Sequence, residues 1–220
     1  MDTNIQFNLI QTILIYAIPL LFAITLHEVS HGYVAYKLGD PTAKMLGRLT
    51  LNPIKHIDLV GTIVVPAITV WLGGFIFGWA KPVPITWRNL KRARRDMALV
   101  ALAGPMSNFL MALFWGAFTK AGMMLEAHQI ISGVALVAMG KIGIYVNCIL
   151  GILNLLPLQP LDGGRIASSL LPGKLSYYFD RLEPYGIIIL LALLVTNILG
   201  AIISPPLQLM VKLIQGLFGL

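Results

Sequence analysis

Residues 3–26 carry no charged side chain and form one of the most apolar stretches of the chain. A helix that is apolar all round belongs in a protein core or in lipid, and about 20 such residues cross a bilayer. The pattern predicts one helix over residues 8–38, kinked at Pro19 and stopped by Gly39-Asp40-Pro41. Further apolar runs cover residues 59–80, 97–119, 129–161 and 185–211. Within the fourth run, a helix is expected over 142–156, after which Pro157 and Pro160 unwind the backbone. The last run, with Pro205-Pro206 in its latter part, reads as a span over 184–203 and a shorter second helix from about 205 that either returns across the membrane or lies against it. Residues 47–51 alternate weakly and stop at Asn52-Pro53, which predicts a short strand.

Composition agrees with this pattern. Of 220 residues, 57% are hydrophobic and 11% charged, against roughly 25% charged in soluble domains. The chain is therefore read as an all-α polytopic membrane protein of four to six membrane segments, with short β-strands near the polar site. A single membrane-embedded domain covers residues 1–220, with a catalytic core over about 8–170 and C-terminal helices over about 184–220. The apolar start, with Asp2 and no basic leader, is not a cleavable signal. Cys148 is the single cysteine, so no intrachain disulfide exists, and its apolar surroundings make it a packing residue.

The net charge of +7 changes the topology rather than the function class. The basic residues lie between apolar runs, as in loops facing an anionic cytoplasmic leaflet, and no recognition motif points to nucleic acid. Lys37, Lys44, Arg48 and Lys55 precede the 59–80 run, and Lys81, Arg88, Lys91, Arg92, Arg94 and Arg95 follow it. This run, with Pro66, Gly73, Gly74 and Gly78, reads as a full span or as a re-entrant segment, and keeping both loops in the cytoplasm favours the second. The N-terminus then lies outside. The first helix and the fourth apolar segment both end on the cytoplasmic side.

Against this background, His27-Glu28-Val29-Ser30-His31 stands out. Ionisable groups at membrane depth are costly and mark function. Positions i and i+4 share a helical face, so both imidazoles reach one metal ion, while Glu28 can take a proton from water beside it. An open catalytic zinc site needs a third protein ligand. Asp162 alone follows a proline-broken membrane segment, with Gly163-Gly164 behind it. It reads as that ligand, as the N-cap of the following helix, or as both. Asn154 reads either as a donor to the oxyanion or as an interhelical hydrogen-bonding residue. His56 and His128 read as loop residues. A metal transporter, or a metal-binding membrane protein without proteolytic activity, is the competing class. A transporter needs ligands along a path and usually an internal repeat, whereas one cluster and no repeat are present.

HEVSH at 27–31, GPMSN at 104–108 and NLLPLQPLDGGR at 154–165 together resemble the site-2 protease family of intramembrane zinc metalloproteases, over roughly residues 20–170. Leu26 and Ala35 fit the wider pattern around the first motif. The resemblance implies one zinc ion held by His27, His31 and Asp162, with Glu28 catalytic. It implies that Asn154 contacts the substrate backbone or the oxyanion, and that residues 104–108 pack beside the site. It further implies a transmembrane protein substrate, often an anti-sigma factor or membrane-bound regulator, and a multi-pass protein of a bacterial or archaeal cell membrane with its active site toward the cytoplasm. Because a helix hides its peptide bonds, the substrate must unwind, and residues 47–51 and 79–85 are expected to pair with it by strand addition. The chain departs from better-known members in having no PDZ-like insert, no nucleotide-binding regulatory domain and no helix before the HEVSH helix.

Overall fold

The computed structural model describes residues 7–65, 68, 78, 80–128 and 132–220. Its long helices are α1 (Leu9–Lys37), α3 (Ala93–Ala127), α4 (Ser132–Asn154) and α8 (Ile198–Phe218). Shorter helices are α2 (Thr42–Met45), α5 (Asp162–Leu170), α6 (Gly173–Asp180) and α7 (Gly186–Val195). The four long helices are long and apolar enough to cross a membrane, so the protein is an all-α polytopic membrane protein. At 1.5 Å per residue, the ten residues of α7 rise about 15 Å, half a hydrocarbon core.

Three expectations change. No β-strand occurs among the described residues. Residues 47–51 make no ladder, and in 80–86 Pro82 and Pro84 have no N–H to offer one. The last run breaks at Asn197 rather than between 203 and 205. Asn197 takes φ 59°, a left-handed value that asparagine tolerates, whereas Pro205 and Pro206 sit inside α8. α4 begins at Ser132 rather than near 142, so Lys141 lies within it. Of the segment expected to re-enter, 59–80, residues 66, 67, 69–77 and 79 lie outside the described residues.

The chain forms two compact units. One comprises residues up to Ala23, Asn108–Asn154 and Ile188–Leu220. Its core is Ala112, Trp115, Ile144, Cys148, Ile152, Leu207 and Ile214. Small residues allow the helices of this unit to approach closely: a Cβ on Gly143 would collide with the Trp115 ring. Asn108 donates from Nδ2 to Asn147 Oδ1 at 3.1 Å and to the Ala23 carbonyl at 3.2 Å, all fully buried. These bonds satisfy polar groups that lipid cannot.

The other unit comprises Ile24–Ser107 and Leu155–Ile187. Its core joins Ala35, Leu90 and Val100 to Val34, Leu38, Ile85, Trp87 and Met97. Just beyond α1, Asp40 is fully buried and gathers four donors. It accepts from Thr86 N at 2.7 Å, Asn89 Nδ2 at 2.8 Å, Thr42 N at 3.2 Å and the Thr42 hydroxyl. Burial pushes the Asp40 carboxyl up, but these bonds outweigh it and hold the group below the usual carboxylate range. Residues 86–89 are thereby fastened to the end of α1.

Candidate metal centre

His27 and His31 lie ten and six residues before the end of α1 at Lys37. Four residues of helix put them on one face, with ring centroids 4.6 Å apart. Asp162 is the first residue of α5. The N-cap position belongs to Leu161, which makes no side-chain cap bond, so the Asp162 carboxylate is not spent on capping. Gly163 fixes the approach of α5, because a Cβ there would run into the carbonyls of Leu155 and Leu156.

The three groups converge within one unit. His27 Nε2 and His31 Nε2 stand 3.0 Å apart, and they stand 3.1 and 3.2 Å from Asp162 Oδ2. Both histidines are buried, and Asp162 is half-buried. The two histidines are within hydrogen-bond distance of each other, whereas Asp162 Oδ2, which faces both, is a buried oxygen with no hydrogen bond. Burial pushes the Asp162 carboxyl up, but the two histidines facing it prevail and hold it below the usual carboxylate range. An ionised carboxylate and two imidazole nitrogens on one point form the donor set of an open catalytic zinc site. Ligand atoms about 2.0–2.1 Å from one tetrahedral ion stand roughly 3.3 Å from each other, close to the separations here. Among the described residues this is the one such cluster.

His31 Nδ1 lies 2.7 Å from the Val100 carbonyl. A carbonyl only accepts, so Nδ1 carries the hydrogen and the Nε2 lone pair faces the cluster. Val100 lies one turn before Pro105, which has no N–H for the Ala101 carbonyl and so loosens α3 locally. Gly104, in the same turn, is the residue that lets α3 reach the imidazoles. A Cβ there would sit 2.5 Å from His31 Cε1 and 2.6 Å from His27 Cε1.

Glu28 points to the extended segment that follows residue 80. Its Oε2 accepts from Val83 N at 2.8 Å. Asn154, the last residue of α4, donates from Nδ2 to the Leu150 carbonyl at 2.9 Å. His56 is buried with Nε2 2.9 Å from the Thr50 carbonyl, a structural role, and His128 is exposed at the end of α3. The sequence reading missed Val83, because a backbone donor has no residue signature. The resemblance implied that residues 104–108 pack beside the site, and Gly104 is the residue of that motif that meets both imidazoles.

Polytopic helices with a buried two-histidine, one-carboxylate cluster define a class, the membrane-embedded metalloproteases. The chain belongs to one family within it, peptidase family M50, the site-2 protease family, whose sequence model matches residues 15–196. It is 42% identical over 193 residues to YwhC of Bacillus subtilis strain 168, covering 87% of this chain and 84% of that protein. It is 30% identical over 182 residues to Rip2 of Mycolicibacterium smegmatis, covering 82% of this chain and 66% of that protein. A 144-residue match to Rip2 of Mycobacterium tuberculosis H37Rv has 32% identity and covers 65% of this chain and 52% of that protein. All three carry the name "Putative zinc metalloprotease". No solved structure matches the chain.

Proposed function

We propose that this membrane metalloprotease holds one zinc ion on His27, His31 and Asp162 and hydrolyses peptide bonds within transmembrane segments of other membrane proteins. The observation that carries the reading is the convergence of two imidazole nitrogens on a buried Asp162 oxygen that makes no hydrogen bond. One domain serves the reaction, and the site opens toward the cytoplasmic side of a bacterial or archaeal cell membrane. The charge pattern supports that orientation, since Lys37, Lys44 and Arg48 follow the helix that carries His27 and His31, and Arg165 follows Asp162.

When bound, zinc supplies a Lewis acid that makes water a nucleophile near neutral pH and polarises the scissile carbonyl. Glu28 takes a proton from the attacking water as its oxygen bonds to the carbonyl carbon. Glu28 then delivers that proton to the amide nitrogen as the C–N bond breaks, giving a carboxylate and an amine. Asn154, as the resemblance implies, contacts the substrate backbone or the oxyanion. His31 is held in its tautomer by the Val100 carbonyl. The presence of Glu28 favours hydrolysis over metal transport or storage, which do not need a base between the ligands.

Cleavage of a model transmembrane substrate by the purified protein tests this reading. Removing zinc with a chelator is expected to abolish turnover, and restoring about one equivalent is expected to recover it. Full turnover by the stripped protein would exclude the metal mechanism.

A further inference from the structure

We infer that residues 81–86 form a clamp on Glu28, in which the Val83 N–H holds the carboxylate and Arg48 is the positioning residue that sets the clamp. The inference rests on Glu28 being the base proposed above.

The bond itself is short and specific. Val83 N donates to Glu28 Oε2 at 2.8 Å, and a hydrogen bond to a carboxylate is among the stronger kinds. It engages one carboxylate oxygen, Oε2, and leaves the proton transfer proposed above to the other, Oε1. A glutamate with three rotatable bonds gains most from such a restraint, because proton transfer needs its oxygen within hydrogen-bond reach.

The segment carrying Val83 is held at both of its ends. Arg48 Nη2 donates to the Lys81 carbonyl at 3.0 Å and to the Pro82 carbonyl at 3.4 Å. Lys81 N donates to the His56 carbonyl at 2.9 Å. Thr86 N donates to the buried Asp40 at 2.7 Å. Val83 itself is buried, and its side chain lies over Gly32, one turn after Glu28 on the same face of α1. Only a glycine permits that approach, since a Cβ on Gly32 would sit 2.7 Å from Val83 Cγ1 and 2.6 Å from Leu49 Cδ2. Pro82 and Pro84 stiffen the backbone on either side.

The same bonds explain why this stretch is poorly suited to substrate strand addition. Of the six residues, Lys81, Val83 and Thr86 already spend their amides within the protein, and Pro82 and Pro84 have none. At most the Ile85 N–H is left for a ladder. The segment works on the base.

Amide exchange and kinetics on the full chain test this. Pro82 and Pro84 carry no amide hydrogen, so exchange within residues 82–84 reports Val83 alone. Glu28→Ala is expected to speed Val83 exchange about tenfold or more, leaving the Lys81 and Thr86 amides unchanged. Arg48→Ala is expected to lower kcat about tenfold, with KM shifted less than about twofold and zinc content unchanged. Added guanidinium ion should restore part of the loss, and Arg48→Lys, which lacks the planar fork, should not restore full kcat. Unaltered Val83 exchange in Glu28→Ala overturns the clamp while leaving the base assignment standing. Full activity of Glu28→Ala with faster Val83 exchange overturns the base assignment instead. An unchanged or raised kcat in Arg48→Ala contradicts a positioning role.

Discussion

Glu28→Gln is expected to lower kcat for cleavage of a transmembrane segment by about 10²- to 10⁴-fold, the range a positioned acid–base group contributes. Glutamine matches glutamate in size, and its carbonyl oxygen can still accept from Val83 N. The substitution therefore leaves the segment and helix in place and removes chiefly the capacity to take a proton. Zinc content should stay unchanged, because the three converging ligand atoms belong to His27, His31 and Asp162. KM should also change little, since in the proposed mechanism the carboxylate acts on water rather than on substrate side chains. The measurement is single-turnover cleavage alongside metal analysis of the same preparation. Activity within about twofold of the parent protein would remove Glu28 from the chemistry.

Gly104→Ala is expected to weaken zinc binding about 10- to 100-fold, the loss typical when groups that orient metal ligands are disturbed. The added Cβ would lie 2.5 Å from His31 Cε1 and 2.6 Å from His27 Cε1, far inside ordinary contact. His31 cannot simply turn away, because its Nδ1 is bound to Val100 in the neighbouring turn of α3. Either the ring gives up that bond or α3 shifts, and both misdirect Nε2. Competition against a chelator of known affinity gives the number. An unchanged affinity would mean that the helices yield without moving the imidazoles.

How far the sequence carried can be seen residue by residue. His27, Glu28 and His31 were legible because three ionisable groups inside an uncharged run have few physical explanations. Asp162 was legible because prolines and glycines announce broken backbone, and the structure gives the capping role no support. The break at Asn197 was not legible. Prolines are the strongest sequence signal for a helix end, yet membrane helices accommodate them, and a left-handed asparagine leaves almost no trace in composition. The strand expected at 47–51 failed for a related reason. Alternation shows that a segment is extended, but a strand needs a partner's backbone, and here the neighbouring segment spends its amides on Glu28, His56 and Asp40.

The central claim is that His27, His31 and Asp162 together hold a single catalytic zinc. Its most direct test is the metal content of purified protein by mass spectrometry, in the parent chain and in His27→Ala, His31→Ala and Asp162→Ala. The account predicts about one zinc per parent chain and a loss of most of it in each variant, with the helical signal retained. Full zinc content in Asp162→Ala would contradict it.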